Sequence, residues 1–397
     1  MSLPVAQRLV RIPPYPFREV AMLKAKLVKE GKRVLDFGIG DPDLPTPKFV
    51  IDALCEAAQD PTTHPYDESG YGLPEYKQAI AAFSKKRFGI DIEADGEVQG
   101  CIGSKEALAH IVWAYTDPGD IVLVPDPAYS VYKVQTMWCG GAAFPMPLDP
   151  QSGFLPDFDA IPLSVRKQAK LLFLNYPNNP TGAVAPKEFL AEAVEFARKW
   201  GMIICHDAAY CEVGYDGFQP PSILEIDGAK DVAIEFHSLS KTFNMTGWRV
   251  AWAMGGKEIV DALSRVKSNV DSGTFMAIQR AGIAALENYD AWAPKMRAQY
   301  QERRDALVTG LRTLGWPVDP PKATFYVWTP VADGYTSMEF SKALLEEAGV
   351  LTIAGTAYGE CGEGFVRWSL TIQAPDKMGT IQEAVEAIKS KLNLTWA

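Results

Sequence analysis

The feature that most constrains the fold is a regular alternation, through the middle of the chain, of short apolar runs and amphipathic stretches. The apolar runs lie at residues 121–124, 171–174, 202–205, 232–234 and 250–254. Runs of this length suit strands that are buried on both faces of a parallel sheet. Because amphipathic stretches separate them, the pattern predicts repeated strand–helix–strand units, and therefore an α/β fold with a mainly parallel sheet between helices.

Two of the separating stretches carry apolar residues at helical spacing. The first set is Ala107, Leu108, Ile111, Val112 and Tyr115, and the second is Phe189, Leu190, Ala193, Val194 and Ala197. Pro186 precedes the second set, as proline often does in the first turn of a helix. Ligands of open α/β sheets bind at the carboxyl ends of the strands, so we expect chemistry in the segments that follow the apolar runs.

The pattern changes after about residue 285. Long charged helices are predicted over residues 294–311 and 337–347, with short strands near residues 324–328 and 364–370. This mixture predicts a second, smaller domain of α+β type.

The chain has 397 residues, enough for two or three domains. We assign residues 1–45 to an N-terminal arm and part of the small domain, residues 46–285 to the large domain, and residues 286–397 to the small C-terminal domain. Residues 8–17 read RLVRIPPYPF, and the three prolines predict an extended arm rather than a helix.

Charge and cysteine usage argue against several classes of function. The 39 basic and 49 acidic residues give a net charge of −10, which disfavours binding to nucleic acid or to an anionic membrane. No apolar run approaches the roughly 20 residues that span a bilayer, and residues 1–4 lack the apolar region of a signal peptide. The six cysteines form no CxxC pair and the four histidines no HxxH pattern, so we expect no metal site and no disulfide framework. These features predict a cytoplasmic protein.

The segment EFHSLSKTFNMTGWR, residues 235–249, holds the first candidate for chemistry. Lys241 follows a predicted strand end and can serve as an amine nucleophile that forms a Schiff base. Ser238 and Ser240 precede it and Arg249 follows it, and hydroxyl and guanidinium groups suit a phosphate dianion. The alternative interpretation is an exposed loop with a solvated lysine.

Two further strand ends carry polar side chains. Residues 175–182 read NYPNNPTG, a turn sequence in which a cis Asn179–Pro180 bond would aim the asparagine amide. Asp207 and Tyr210 follow the next apolar run, in HDAAY. Asp207 is either a helix N-cap or a carboxylate that keeps the ring nitrogen of a cofactor protonated, with Tyr210 aimed at the same ring.

Gly103 and Ser104 open a predicted helix. The free N–H groups and the positive end of the helix dipole would form an anion site there, although a plain serine N-cap explains the pair equally well. Two other cofactor motifs fail: Gly38-Ile39-Gly40 lacks the third glycine of a dinucleotide fingerprint, and Gly255-Gly256-Lys257 lacks the rest of a phosphate-binding loop.

Together these residues supply what pyridoxal 5'-phosphate requires: a lysine for its aldehyde, a carboxylate for its ring nitrogen and donors for its phosphate. The sequence resembles the class I/II aminotransferases of the fold-type-I pyridoxal-phosphate enzymes, from DFGIGDP at residues 36–42 to FVRWS at residues 365–369. Within that group it is most similar to the LL-diaminopimelate aminotransferases. The segments that carry this similarity are RIPPYPF, DPDLPTP, FLNYPNNPTGAV and EFHSLSKTFNMTGWR.

The resemblance implies a role for each candidate residue. Lys241 is expected to attach the cofactor covalently and then to move the substrate proton, while Asp207 holds the proton of the ring nitrogen. Tyr129 would stack on the ring, and Asn179 and Tyr210 would hydrogen-bond its hydroxyl oxygen. The residues expected to hold the phosphate are Ser104, Lys105, Ser238, Ser240 and Arg249.

The resemblance also implies a substrate site. Arg367 would clamp the α-carboxylate, because a guanidinium matches a carboxylate with two parallel hydrogen bonds. The backbone at Gly40 would lie against the substrate, and Asn179 would contact it as well as the cofactor.

Three residues of the arm and of a nearby loop are implied to complete the site. Tyr15 and Tyr66 would reach the site of a neighbouring subunit, Tyr66 to contact the cofactor there, which implies a homodimer with shared sites. Glu68 would bind a distal amine of the substrate, although Tyr66-Asp67-Glu68-Ser69-Gly70 is one residue shorter than the subfamily pattern.

The resulting hypothesis is an aminotransferase that moves an amino group between an amino acid, such as LL-diaminopimelate, and a 2-oxo acid such as 2-oxoglutarate. Three alternatives remain at this point. The donor can be aspartate, alanine or an aromatic amino acid. The same cofactor can serve a lyase that eliminates or decarboxylates. A transaminase-like sensor domain of a transcription regulator is the non-enzymatic alternative, which the acidic charge disfavours.

Overall fold

A computed structural model describes residues 4–13, 17–67 and 70–396, without the side chains of residues 17–19. The helices in this part of the chain are α1 (Gln7–Arg11), α2 (Phe17–Lys29), α3 (Lys48–Gln59), α4 (Pro74–Phe88), α5 (Ser104–Tyr115), α6 (Val131–Trp138), α7 (Leu163–Arg166), α8 (Lys187–Trp200), α9 (Leu239–Thr242), α10 (Lys257–Ser268), α11 (Met276–Glu287), α12 (Tyr289–Thr313), α13 (Ser337–Ala348) and α14 (Lys377–Lys391). The strands are β1 (Leu35–Asp36), β2 (Val98–Cys101), β3 (Ile121–Asp126), β4 (Ala142–Pro147), β5 (Ala169–Asn175), β6 (Ile203–Asp207), β7 (Ala233–Ser238), β8 (Ala251–Gly255), β9 (Tyr326–Pro330), β10 (Val350–Leu351), β11 (Ile353–Ala354) and β12 (Phe365–Ser369).

The larger sheet has seven strands in the order β2-β8-β7-β6-β5-β3-β4. Strands β4, β3, β5, β6 and β7 run parallel to one another, as the apolar runs predict for β3, β5, β6 and β7. The central strands β5 and β6 carry apolar residues on both faces: Leu172 and Ile204 face one buried cluster, and Leu171 and Cys205 face the other. The predicted α/β class is confirmed.

Strand β8 departs from the expectation. Its apolar run was grouped with the parallel strands, but it runs antiparallel to both β7 and β2. An apolar run reports burial on both faces and carries no information about direction. The sequence also missed the two edge strands: β2 contains Gln99 and Gly100, and β4 contains two prolines, which are tolerated at a sheet edge.

The arm was wrongly predicted to be extended throughout residues 8–17. Residues of good helix propensity form α1, and α1 ends at Arg11, before Ile12, whose φ of −77° and ψ of 123° are extended. The cause is Pro13, since the residue before a proline avoids the helical region. Pro13 therefore ends the helix and does not prevent it.

A second sheet of three antiparallel strands, β11-β12-β9, follows in the chain, and helices α12 and α14 pack beside it around a separate hydrophobic cluster. Strand β1, near the N-terminus, pairs in parallel with β10, far along the chain. The domain division stays a prediction, and the division at residues 285–286 falls inside α11. In the described part of the chain, no helix combines the length and apolarity required to cross a bilayer.

Candidate active site

The carboxyl ends of β5, β6 and β7 bring three polar side chains to one face of the large sheet. Asn175, Asp207 and Ser238 end these strands, and Asn175 and Asp207 are direct register partners. Two positions before them lie Phe173, Cys205 and Phe236, which share one buried cluster. Because side chains alternate along a strand, the three polar groups lie on that same face.

A cavity of about 990 Å³ lies beyond these strand ends. Twelve of the predicted site residues line it: Gly40, Ser104, Lys105, Tyr129, Asn179, Asp207, Tyr210, Ser238, Ser240, Lys241, Arg249 and Arg367. Tyr66 does not line it and is 82% exposed, and its contact with a neighbouring subunit stays a prediction. Tyr15 and Glu68 lie outside the described residues.

Asp207 is a buried carboxylate at the base of the cavity. Its Oδ2 accepts a hydrogen bond of 2.7 Å from the Tyr132 hydroxyl, and its Oδ1 accepts one of 3.2 Å from the amide of Ala209. Burial raises the pKa of Asp207, and the bond from Tyr132 partly offsets that shift. The sequence analysis missed Tyr132, although it lies three residues after Tyr129 and packs against it.

Lys241 reaches the same cavity from α9. Its Nζ donates a hydrogen bond of 2.9 Å to the Gly40 carbonyl and lies 3.9 Å from Asp41 Oδ1. It also lies 5.8 Å from the centre of the Tyr210 ring. The amine is therefore held by weak, exchangeable contacts at the wall of the cavity, not by a buried ion pair.

The start of α5 forms a cationic seat. Gly103 takes the N-cap position with φ of +79°, so Ser104 is the first helical residue and not the cap. A Cβ on Gly103 would lie 2.0 Å from the Arg249 guanidinium, and glycine is therefore required by both backbone and space. Burial, followed by the charge of Arg249, lowers the pKa of Lys105. Two cations and a helix N-terminus facing one cavity suit an anion.

A buried ion-pair network lies next to this anion site, which is formed by Gly103, Ser104, Lys105 and Arg249. The Lys267 ammonium, fully buried, bonds to Asp271 Oδ1 at 2.7 Å and Glu106 Oε2 at 3.2 Å. Glu106 Oε2 also accepts a bond of 2.8 Å from the Ile102 amide, just before the seat. His110 lies beside Glu106 and Asp271, so these three have the donor types of a metal site, but the lysine supplies the positive charge there. The sequence analysis did not find this network, because its members are far apart in the chain.

Arg367 projects from β12 into the other side of the cavity. Its Nη1 donates to Asn179 Oδ1 at 3.0 Å and its Nη2 to the Gly38 carbonyl at 2.7 Å. The backbone N–H of Asn179 donates in turn to Asn175 Oδ1 at 2.8 Å, so a chain of hydrogen bonds joins the two sheets. The Asn179–Pro180 bond is cis, as expected from the sequence.

Tyr326, on β9, was missed by the sequence analysis and contacts several predicted residues. Its hydroxyl lies 2.7 Å from that of Tyr210. The Arg367 guanidinium lies 4.0 Å from the centre of the Tyr326 ring. A Cβ on Gly40 would lie 2.2 Å from the Tyr326 hydroxyl, which explains a glycine at position 40. Nothing in the local sequence around Tyr326 distinguishes it from a core tyrosine.

These groups fit pyridoxal 5'-phosphate by their chemistry. The cavity offers an amine on Lys241, a buried carboxylate on Asp207 and a seat for a dianion beside Lys105 and Arg249. A second guanidinium, that of Arg367, remains on the opposite wall for a carboxylate. The set matches a cofactor with an aldehyde, a basic ring nitrogen and a phosphate, together with an amino-acid substrate.

A family model described as aminotransferase class I and II matches residues 32–388. The chain belongs to the class I and II aminotransferases. It is an α/β enzyme of this family and depends on pyridoxal phosphate for transamination. The family resemblance, the fold class, the enzyme class and the cofactor that the motifs predicted are thus confirmed.

The relatives of this aminotransferase match it from end to end. The LL-diaminopimelate aminotransferase of Moorella thermoacetica is 50% identical over 387 residues, which cover 98% of each chain. The enzyme of the same name from Desulforudis audaxviator is 48% identical and covers 99% of each chain. Among solved structures, substrate-bound BacF from Bacillus subtilis superposes with a TM-score of 0.94 at 37% identity, over 100% of this chain and 99% of that one.

Proposed function

We propose that the enzyme takes its amino group from LL-diaminopimelate and passes it to a 2-oxo acid such as 2-oxoglutarate. The observation that carries this proposal is the near-complete match, at 48–50% identity, to two relatives named LL-diaminopimelate aminotransferase. The cavity of about 990 Å³ supports it, since it has room for the cofactor together with a long amino acid.

In this proposal the cofactor, when bound, supplies a protonated ring that accepts the electron pair left when the substrate loses its Cα proton. Asp207 keeps the ring nitrogen protonated, and its low-dielectric surroundings strengthen that interaction. The Lys241 amine would remove the Cα proton, as a base, and deliver it to the cofactor carbon that carried the aldehyde, C4′, as an acid. Tyr129 covers the ring, and Tyr210 and Asn179 donate to its oxygen.

The remaining residues bind and orient. The phosphate is held by Ser104, Lys105, Ser238, Ser240 and Arg249, and Tyr66 of a neighbouring subunit contacts the cofactor in the shared site. Arg367 takes the α-carboxylate, with Asn179 and the backbone at Gly40 beside it. The proposal further includes a homodimer and a cytoplasmic location.

In this proposal the enzyme selects its amino donor by contacts with the distal end of the substrate. Arg367 binds the carboxylate that every amino acid carries, so it cannot discriminate among them. Tyr15, Tyr66 and Glu68 are proposed to do so, with Glu68 bound to the distal amine.

A screen of amino donors with 2-oxoglutarate tests the proposed donor. We expect kcat/KM for LL-diaminopimelate to exceed that for aspartate, alanine and aromatic amino acids, with glutamate formed in step with donor consumed. The Glu68→Ala variant should lose activity toward LL-diaminopimelate while alanine and glutamate are spared, because only the former carries a distal amine.

Equal losses on all donors in the Glu68→Ala variant would contradict its proposed role. A higher kcat/KM for aspartate, alanine or an aromatic donor in the unaltered enzyme would contradict the proposed substrate. Release of carbon dioxide or ammonia in place of glutamate would instead indicate the lyase alternative.

The Arg367→Lys variant should raise KM for every donor by about tenfold or more, with a smaller loss in kcat. Two separate nitrogens of the guanidinium donate to Asn179 and to the Gly38 carbonyl, and the single ammonium of lysine cannot make both bonds with the same geometry. Steady-state kinetics with LL-diaminopimelate, glutamate and alanine measure the effect. A rise in KM for one donor alone would contradict a role in binding the common carboxylate.

A further inference from the structure

Tyr326 is a buried tyrosine that occupies the junction of three parts of the site. Its side chain lines the cavity and is 2% exposed, on β9 of the three-stranded sheet. It contacts Tyr210 through its hydroxyl, Arg367 through its ring and Gly40 by close approach. Each of these partners is proposed above to bind cofactor or substrate, whereas no role has been assigned to Tyr326.

We propose that Tyr326 is a positioning residue for transamination: its hydroxyl donates a hydrogen bond to Tyr210, and its ring holds the guanidinium of Arg367. The first half rests on the proposed role of Tyr210 as a donor to the cofactor ring oxygen, and the second on that of Arg367 as the carboxylate site.

The number of available protons decides which tyrosine of the pair donates the hydrogen bond. Each phenol has one proton to donate. Tyr210 remains protonated, since burial, reinforced by Tyr326, raises its pKa well above the usual value. If Tyr210 donates its proton to the cofactor oxygen, the bond of 2.7 Å between the two hydroxyls is made with the proton of Tyr326. A phenol that accepts one hydrogen bond is a stronger donor in the next.

The ring of Tyr326 acts on a different partner. Arg367 is 3% exposed, and its Cζ lies 4.0 Å from the Tyr326 ring centre and 4.9 Å from that of Tyr358. Two aromatic faces therefore hold the guanidinium plane by cation–π attraction, which is strengthened where water is excluded. This contact requires only the ring, whereas the contact with Tyr210 requires only the hydroxyl.

That separation allows each half to be tested by its own substitution. Tyr326→Phe keeps the ring and removes the hydroxyl, and Tyr326→Leu removes both. The first readout is the absorbance of the holoenzyme without substrate, titrated with pH, which reports the proton on the covalent link between Lys241 and the cofactor. A donor to the ring oxygen stabilises the anion present when that proton is lost, so a weaker donor raises the pKa of the link.

In Tyr326→Phe we expect this pKa to rise by about 0.1 to 0.5 unit, because the lost bond acts only through Tyr210 and changes the strength of the next bond by about 10–30%. We expect kcat to fall about three- to tenfold, with KM for amino acids nearly unchanged. Tyr326→Leu should show the same rise in pKa and, in addition, a KM raised about tenfold for all donors alike.

Two further variants complete the experiment. Tyr215→Phe is the matched control: Tyr215 is also buried, donates to the Thr324 carbonyl and does not line the cavity, so its loss should leave the pKa of the link unchanged. Tyr210→Phe should raise that pKa by more than Tyr326→Phe does, because it removes the donor itself.

The outcomes separate the new inference from the roles on which it rests. If the pKa of the link shifts in Tyr210→Phe but not in Tyr326→Phe, the proposed effect of the Tyr326 hydroxyl on Tyr210 is overturned, while the role of Tyr210 is left intact. Absence of a shift in both overturns the role of Tyr210 and that effect with it. An unchanged KM in Tyr326→Leu overturns the support of Arg367. None of these results depends on which amino donor is the natural one.

Discussion

The Lys241→Ala variant is expected to have no measurable transamination and no covalently attached cofactor, while its fold is retained. The Lys241 amine makes one exchangeable bond of 2.9 Å to the Gly40 carbonyl and one contact of 3.9 Å to Asp41, so little structure depends on it. The substitution removes both the covalent anchor of the cofactor and the group proposed to move the proton. Loss of a group that acts in the chemical step lowers kcat by many orders of magnitude.

Borohydride reduction of the holoenzyme followed by peptide mapping measures the attachment, and thermal unfolding measures the fold. Lys24→Ala is the matched control, because Lys24 also lines the cavity but pairs with Asp36 at 2.6 Å. The label should remain in that variant. A label found on any lysine other than Lys241 would refute the assignment.

The Asp207→Ala variant should lose about a thousandfold or more in kcat, with a much smaller loss in cofactor affinity. The carboxylate is buried and aimed into the cavity, where a preorganised charge stabilises a developing one far better than water does. The cationic seat near Arg249 is separate from Asp207 and should still hold the phosphate. A kcat near that of the unaltered enzyme would show that Asp207 does not protonate the ring nitrogen.

The Asp207→Asn variant separates chemistry from folding, since the amide oxygen can still accept the bond from Tyr132. Burial raises the pKa of Asp207 in the folded chain, so between its unfolded and folded pKa values the folded chain holds more protons. Stability of the cofactor-free protein therefore falls as pH rises through that interval. We expect unfolding of Asp207→Asn to lose this pH dependence, because an amide does not titrate, and we expect its kcat to fall as that of the alanine variant does.

The site residues that the sequence indicates without the family resemblance share one property: they follow apolar runs or carry a local motif. Asp207 and Lys241 are examples, because parallel strands bring their carboxyl ends to one edge whatever the rest of the fold. Arg367 was found only through the family resemblance, since its strand lies in a different sheet.

Residues that act by contact across the fold carried no such signal. Tyr132 and Tyr326 are tyrosines in apolar surroundings, and only the distances to Asp207 and Tyr210 distinguish them from core residues. Strand direction at β8 and the short helix α1 were likewise decided by pairing and by local propensity, which the apolar pattern does not contain. The sequence therefore predicts which residues lie at a strand end, but not which residues from distant parts of the chain contact them.

The pairing of β1 with β10 has a consequence for how the protein is made. On the ribosome, the seven strands up to β8 emerge before Tyr326 and Arg367 do, so the large sheet can assemble first. The segment from Gly38 to Gly40, although synthesised early, lacks its contacts with Arg367 and Tyr326 until those two residues leave the exit tunnel. The wall of the cavity that Arg367 and Tyr326 supply, opposite Lys241, is therefore expected to be among the last parts of the site to form.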